Sequence, residues 1–464
     1  MHVHLLGIAG TGMTGLAQLL VDQGHRVTGS DAARIYPPMS EVLARLAVPV
    51  AEGYQAVNLE PRPDLVVVGN AIGRGNPELE EALDLGLAYT SMAEAIEDLV
   101  LPGRLPVVVA GTHGKTTTTA AITWILRQAG RDPGWLVGGL PRDLPSTATL
   151  GGGREFVIEG DEYDTAYFDK RAKFHHYRPR VLVILNLEYD HADIYPDLAS
   201  IVTEFKRLVN TVPRSGLIVA AAASAAVDEV VARAHAPVVR FGFEADSDYR
   251  AQDLRWDGLL SFGVSSPRDG KAAARLGLAG RFNALNATAA LAVADHLGVP
   301  RELSLKSLAE FRGVARRLER RGEERGVTVW DDFAHHPTAI RGGIEAIRET
   351  TGQRVWAVLE PRSWSMRLNT HQEALAPALA EADFVVLAPV FEPEKIAKDK
   401  RLDSAMLLAS IHQRGRGAWV IDGVEAMARF ISERALPGDQ VLVMSNGGFG
   451  GLHGLLLDRL RGAG

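Results

Sequence analysis

The sequence predicts an α/β protein of parallel sheets covered by helices and divided over three units. Short apolar runs alternate with stretches of helical period along the whole chain. Two glycine loops, at residues 7–15 and 111–114, each join such a run to a helix-like segment. A chain of 464 residues with 46% hydrophobic composition is also long enough for two to four domains, each with its own core.

The first unit is expected over residues 1–104. His2 to Ile8, Arg26 to Thr28 and Leu65 to Val68 read as its strands. After the first of them, "GIAGTGMTG" sets Gly10, Gly12 and Gly15 at G-x-G-x-x-G spacing, with Asp31 where a ribose-binding acid would follow. Such a loop holds any pyrophosphate at a helix N-terminus, so a nicotinamide cofactor, a nucleotide-linked ligand and a purely structural turn all remain open. A second phosphate loop in the chain favours the nucleotide-linked ligand. The Pro and Gly of "VLPGRLP" suggest a linker at Leu101 to Pro106.

The second unit is expected over 105–313 and opens on "VVVAGTHGKTTTTAAITWIL". Val107 to Val109 read as a buried strand, and Thr116 to Gln128 as a helix with Ile122, Ile125, Leu126 and Ala129 at helical spacing. Val109 stands where G-x-x-x-x-G-K-[ST] requires its first glycine, and Gly111 is the loop's only earlier one. The working parts are nevertheless present. Phosphate oxygens would meet backbone N–H groups at a helix N-terminus, Lys115 adds a charge for the outer phosphates, and Thr116 offers a hydroxyl to Mg²⁺. The strands "EFVIEG" and "RVLVILNL" then end in two acidic clusters: Glu159, Asp161, Glu162 and Asp164, and Asp190, His191 and Asp193. Parallel strands end at one edge, so Thr116, Glu159 and His191 are expected to converge there as a set suited to Mg²⁺ or Mn²⁺. Asp164 and Asp193 read as solvent-facing or locally paired. Ala220 to Ala226 reads as helix or loop, and "RFNALNATAALAVADHLG" as a helix.

The third unit, 314–464, starts near Gly313 with the charged "RRLERRGEERG". Its strands are expected at "VTVWDD", "RVWAVLEP", "DFVVLAPV" and "QVLVMSN". Net charge of -7 argues against general nucleic-acid binding, and zero cysteines exclude disulfides and thiolate metal sites. The N-terminus "MHVHLLGIAG" lacks a basic leader and no apolar run reaches ~18 residues. A cytoplasmic protein is expected, with no membrane, nucleic-acid or obligate protein partner.

Taken in order, "GIAGTGMTGLA", "GTHGKTTTT", "EGDEYD", "NLEYDHAD", "GRFNALNA", "ARRLE" and "DDFAHHPTAI" resemble the Mur ligases, the ATP-dependent amide-forming family of peptidoglycan synthesis. The shortened phosphate loop resembles that family's own. The resemblance implies a Rossmann-like N-terminal domain that binds a UDP-sugar, a P-loop-type central ATPase domain and a Rossmann-like C-terminal domain that binds the acceptor. It assigns Gly10, Thr11, Gly12, Met13, Thr14, Asp31 and Asn70 to the UDP-sugar. It assigns Gly111, Thr112, His113, Gly114, Lys115, Thr116, Thr117, Asn283, Asn286, Arg317 and Asp332 to ATP, with Phe282 standing where the family pattern has histidine. Lys115, Glu159, His191 and Arg317 are the implied catalytic residues, and Thr116, Glu159 and His191 the implied Mg²⁺ ligands. Lys206 stands where some members carry a carbamylated lysine for a second Mg²⁺, or is an ordinary surface lysine. Arg362, Ser445 and Asn446 are implied for the peptide.

Within the family, "GNAIGRGNPE", "EGDEYDTAYFDKRAKFHHYRPR", "VLEPRSWSMRL" and "MSNGGFGGLHG" are similar to members that join UDP-N-acetylmuramate to L-alanyl-γ-D-glutamyl-meso-diaminopimelate in peptidoglycan recycling. The alternative is a member that adds a single L-alanine. Readings from another class are a NAD-dependent reductase using the first loop, and a nucleotide sensor without turnover.

Overall fold

The structure, a computed structural model, describes residues 1–464 except 33–34, 36–38, 269 and 463–464. Its described residues form three sheets that follow one another along the chain. In the first, the spatial order is Val50–Glu52, Arg26–Asp31, His2–Leu6, Leu65–Val68 and Tyr89–Ser91, all parallel. The central strand is covered on both faces, which is why Val3, Leu5 and Leu6 are fully buried rather than alternating with polar residues. The helix Thr11–Asp22 starts directly after the glycine loop.

The second sheet has ten strands, and its middle places Leu105–Ala110 between Glu155–Gly160 and Val181–Ile184. Register sets Val109 beside Glu159, and Ala110 beside both Gly160 and Ile184. Three strand ends therefore meet at one carboxyl edge. The helix Lys115–Gln128 leaves that edge and packs with Arg281–His296, whose alanines at 284, 287, 289 and 290 allow close approach. At one end, Tyr249–Trp256, Leu260–Ser266 and Gly270–Leu276 form an antiparallel extension. The sequence reading did not anticipate it.

The third sheet runs Glu319–Glu324, Val327–Asp332, Gln440–Met444, Val355–Leu359, Phe384–Leu387 and Gly417–Val420, parallel except for the first pair. Its first strand is the charged "ERRGEE", which suits an edge because charge discourages further pairing. Two expectations need local correction. Leu105 and Pro106 belong to the strand and not to a linker. Ala220 and Ala221 end the strand Leu217–Ala221, and only from Ala225 does a helix follow, capped by Ser224. The connection at Gly313 is stitched to the second unit by Arg142 N–H on the Gly313 carbonyl (2.9 Å) and Ala315 N–H on that of Leu140 (2.9 Å). Among the described residues, no helix is long and apolar enough to cross a membrane.

Candidate active site

The phosphate loop turns between the fully buried Val109 and Lys115, the first residue of its helix. Gly111 and Gly114 take φ of +131° and +88°. A Cβ on Gly111 would lie 2.9 Å from the Asn186 carbonyl oxygen, and one on Gly114 would lie 2.6 Å from Asn286 Oδ1. Both positions thus require glycine for conformation and for space. Val109 is inside the sheet, so the shortened motif loses nothing at the loop itself. The neighbouring strand end holds the loop: His113 N–H donates to Asn186 Oδ1 (2.8 Å), and Thr112 N–H to the Asn186 carbonyl (2.9 Å). The first N–H groups of the helix after Gly114 have no partner within the helix, which makes this end an anion site.

Two carboxylates stand beside it in opposite electrostatic states. Glu162 accepts from Lys115 Nζ at 2.9 Å and lies 2.9 Å from His191 Nε2. Burial alone would raise its pKa, but Lys115 and His191 bring it down to about 2. Burial would also lower the pKa of Lys115 and of His191, yet Glu162 holds both raised. Glu159 faces the other way, accepting from Thr116 Oγ1 (3.0 Å) and from Gly138 N–H. Burial, and then the nearby Asp161 charge, push its pKa up to about 7. A desolvated carboxylate with a hydroxyl beside it and an unmet need for positive charge is a fitting cation position. His191 lies on Glu162 here, so Thr116 and Glu159 are together while His191 is one carboxylate away.

Glu162 was not singled out from sequence. Several carboxylates crowd residues 159–164, and only the turn after the strand decides which one meets Lys115.

From the third unit, Arg317 reaches the loop helix, its guanidinium 3.4 Å from Thr116 Oγ1 and 4.9 Å from the Phe333 ring centre. Its neighbours Arg316 and Leu318 have φ of +60° and +49°, a strained turn for non-glycine residues. Asp332 braces that turn, accepting from Leu318 N–H (2.6 Å) and Ala334 N–H (2.7 Å). These two bonds tie Asp332 to the turn that carries Arg317. Arg316 points back to the Ser445 carbonyl at 2.6 Å. Arg362 lies over the Phe391 ring at 4.0 Å, with only a 3.5 Å contact to Glu360, whose other oxygen accepts from Ser445 Oγ. Asn446 Oδ1 is buried without a partner among the described residues.

Asn283 and Asn286 are buried along a narrow cleft bounded by Thr117, Leu276 and Phe311. Asn283 Nδ2 donates to Ala279 O (2.7 Å) and Asn286 Nδ2 to Asn283 Oδ1 (3.2 Å). Phe282 instead points outward and is 39% exposed.

At the first loop, Gly10 caps the helix, Asn70 is exposed just beyond the central strands, and Asp31 Oδ2 accepts from Ala9 N–H at 2.9 Å. Thr14 is fully buried and braces the loop, its hydroxyl donating to Ile8 O (2.8 Å) and its N–H to Gly10 O (2.8 Å). Met13 likewise sends its side chain inward. Thr11, Gly12 and Met13 retain their first-turn N–H groups for an anion. Lys206, on the helix Leu198–Val209, pairs its amine at 2.6 Å with Glu229 on the surface, the setting of the ordinary surface lysine among the two readings.

Comparison with known proteins gives matches along most of the chain. Residues 2–103 match the Mur ligase family catalytic domain, 109–294 the Mur ligase middle domain, and 316–447 the Mur ligase glutamate ligase domain. An Escherichia coli protein named UDP-N-acetylmuramate–L-alanyl-γ-D-glutamyl-meso-2,6-diaminoheptandioate ligase is 43% identical, over 99% of this chain and 98% of its own. A crystal structure of a murein peptide ligase from Psychrobacter arcticus is 38% identical, covers 99% of both chains and superposes with a TM-score of 0.75. A UDP-N-acetylmuramate–L-alanine ligase from Cereibacter sphaeroides is 35% identical, over 96% of this chain and 93% of its own.

Proposed function

From the premise that the chain belongs to the Mur ligase family, we propose that it is the ATP-dependent, ADP-forming ligase joining UDP-N-acetylmuramate to L-alanyl-γ-D-glutamyl-meso-diaminopimelate. The observation that carries the acceptor is the 43% identity, end to end, to a relative of that name, against 35% to one named for L-alanine. The work of such an enzyme is peptidoglycan recycling, and its use of ATP and a UDP-sugar supports a cytoplasmic location. The reductase reading treats the second loop as a plain turn. It leaves without purpose the buried Lys115–Glu162–His191 network and an arginine arriving from another sheet.

Residues 1–104 take the UDP-sugar, 105–313 take ATP, and 314–464 take the peptide. The γ-phosphoryl group passes from ATP to the lactyl carboxylate, giving an acyl phosphate and ADP. The peptide α-amine then attacks the acyl carbon, and the tetrahedral intermediate expels phosphate to leave the amide. Like charges must meet in the first step, so fixed positive groups do most of the catalytic work. Lys115 sits where the outer phosphates arrive, and their charge replaces that of Glu162 as its partner. Arg317 enters from the far side, aimed by Asp332. His191 shares Glu162 with Lys115 and so adjusts how firmly the lysine is held. Mg²⁺ fits Thr116 and Glu159, with His191 near, and when bound supplies charge neutralisation at the phosphates.

The purified protein with ATP, Mg²⁺ and UDP-N-acetylmuramate should give the tripeptide adduct by product mass, and far less product with free L-alanine. Better turnover of L-alanine would move the assignment to the alanine-adding reaction. A second expectation concerns Arg362, whose guanidinium is stacked on Phe391 and, among the described residues, meets a carboxylate only through the long 3.5 Å contact to Glu360. It is placed to take a peptide carboxylate in the two-point manner lysine cannot reproduce. Arg362→Lys should raise the tripeptide KM roughly ten- to a hundredfold, the equivalent of one charge-assisted bond of ~1.5–3 kcal/mol. The KM values of ATP and UDP-N-acetylmuramate should stay near wild type. A change confined to ATP kinetics would remove Arg362 from the peptide pocket.

A further inference from the structure

Where the second and third units meet above the phosphate loop, His113, Glu188 and His336 bring their side chains together. His113 comes from the loop, Glu188 from the segment after the strand Val181–Ile184, and His336 is the N-cap of the helix Pro337–Thr351. One ligand atom from each lies within 4.8 Å of the other two. The reaction described above assigns no task to Glu188 or His336.

We propose that these three residues form a binding site for a divalent transition-metal ion of the Zn²⁺ or Co²⁺ class, separate from the oxygen-lined Mg²⁺ position at Thr116 and Glu159. Glu188 Oε2 lies 3.4 Å from His113 Nε2 and 3.3 Å from His336 Nδ1. Ligands bound at ~2.0–2.1 Å and separated by tetrahedral to right angles are roughly 3.0–3.4 Å apart, so both edges have the length of a coordination polyhedron. The ring proton of His336 points away from this centre. Its Nε2 lies 3.3 Å from the Tyr189 carbonyl, which can only accept, so the proton sits on Nε2 and the Nδ1 lone pair faces Glu188. A carbonyl fixing the far nitrogen is the usual support of a metal-bound histidine.

Thr338 completes the surroundings. Its hydroxyl donates to Glu188 Oε2 at 2.6 Å, orienting the carboxylate, and its N–H makes a long 3.3 Å contact to Nδ1 that an ion would replace. His371 adds another imidazole, its ring centre 4.7 Å from that of His336 and its Nε2 buried without a partner among the described residues. Two imidazoles and one carboxylate select Zn²⁺ or Co²⁺, whereas Mg²⁺ prefers oxygen throughout. Side-chain exposures of 22% for His113 and 33% for Glu188 leave an entry path. An ion here ties the third unit to the phosphate loop and so resists their separation.

The test uses full-length protein freed of metal with a chelator and titrated with Co²⁺, followed by visible absorption and by calorimetric stoichiometry. One Co²⁺ per chain should bind in the micromolar range. His336→Asn keeps a good helix N-cap while removing the imidazole, and should weaken binding roughly tenfold or more, as should Glu188→Gln. Unchanged melting curves in chelator identify folded variants. Glu159→Gln should bind Co²⁺ as wild type does. Equal binding by His336→Asn and Glu188→Gln, loss of binding in Glu159→Gln, or no saturable micromolar binding by the wild type would each overturn the proposal.

Discussion

Lys115→Ala should lower the ligation rate by about three orders of magnitude, the scale on which a single charge-stabilising donor acts when it is lost from a preorganised site. The structure adds a cost that sequence alone did not show. Lys115 is held by a buried carboxylate, with 13% of the lysine side chain and 4% of Glu162 exposed. Taking the lysine away leaves Glu162 with His191 alone, so the variant should also melt at a lower temperature. The upper bound is the ~3–5 kcal/mol typical of breaking a buried pair, reduced by the surviving histidine. The sign with pH follows from Glu162, whose folded pKa of about 2 lies below its ordinary 4.5. Its stabilisation is complete above the ordinary value and is lost as pH falls from there toward 2. The gap in melting temperature between wild type and Lys115→Ala should therefore be wide at pH 7 and narrow toward pH 3. A folded Lys115→Ala protein with undiminished turnover would end the assignment of this loop to ATP.

The features legible in the sequence were those with a local cause. An apolar run such as "LVVV" at 65–68 or "VTVWDD" at 327–332 forms a strand because both faces are covered, and the structure has strands at those residues. The two glycine loops were readable because the turn into a helix restricts which residues fit. What escaped was decided by partners far away in the chain. Glu162 differs from Glu159 only in where the turn sends it, and its partners Lys115 and His191 lie in separate segments. Asp332 accepts from two backbone N–H groups of a strained turn, one on each oxygen, and the sequence pattern did not show those partners. Thr14 serves the loop's own carbonyl, a contact that its place in the first helical turn permits but its sequence position does not announce. His336 meets Glu188 across two sheets, and no spacing in the sequence records that.

Glu159→Gln should separate activity from stability, and in opposite directions. The carboxylate is held against Thr116 and Gly138 N–H with no positive group in contact among the described residues, and its pKa stands at about 7 because of burial and the Asp161 charge. Losing the negative oxygen should reduce the ligation rate by about two to three orders of magnitude, since charge neutralisation at the phosphates is worth several kcal/mol. Without divalent metal, however, the ionised group is a burden on the fold. A folded-state pKa above the ordinary 4.5 means that the native protein holds a proton the unfolded chain has released. Stability from this group therefore falls as pH rises from about 4.5 to about 7, and stays low above that. At ~1.4 kcal/mol per pH unit the full difference is at most about 3.5 kcal/mol. The glutamine variant, carrying no charge, should melt higher than wild type at pH 8 in chelator, with the advantage vanishing near pH 4. Adding Mg²⁺ at pH 8 should raise the melting temperature of the wild type and leave that of Glu159→Gln where it was. Equal Mg²⁺ responses in the two proteins, or a glutamine variant that is less stable at pH 8 in chelator, would mean that Glu159 does not hold the ion.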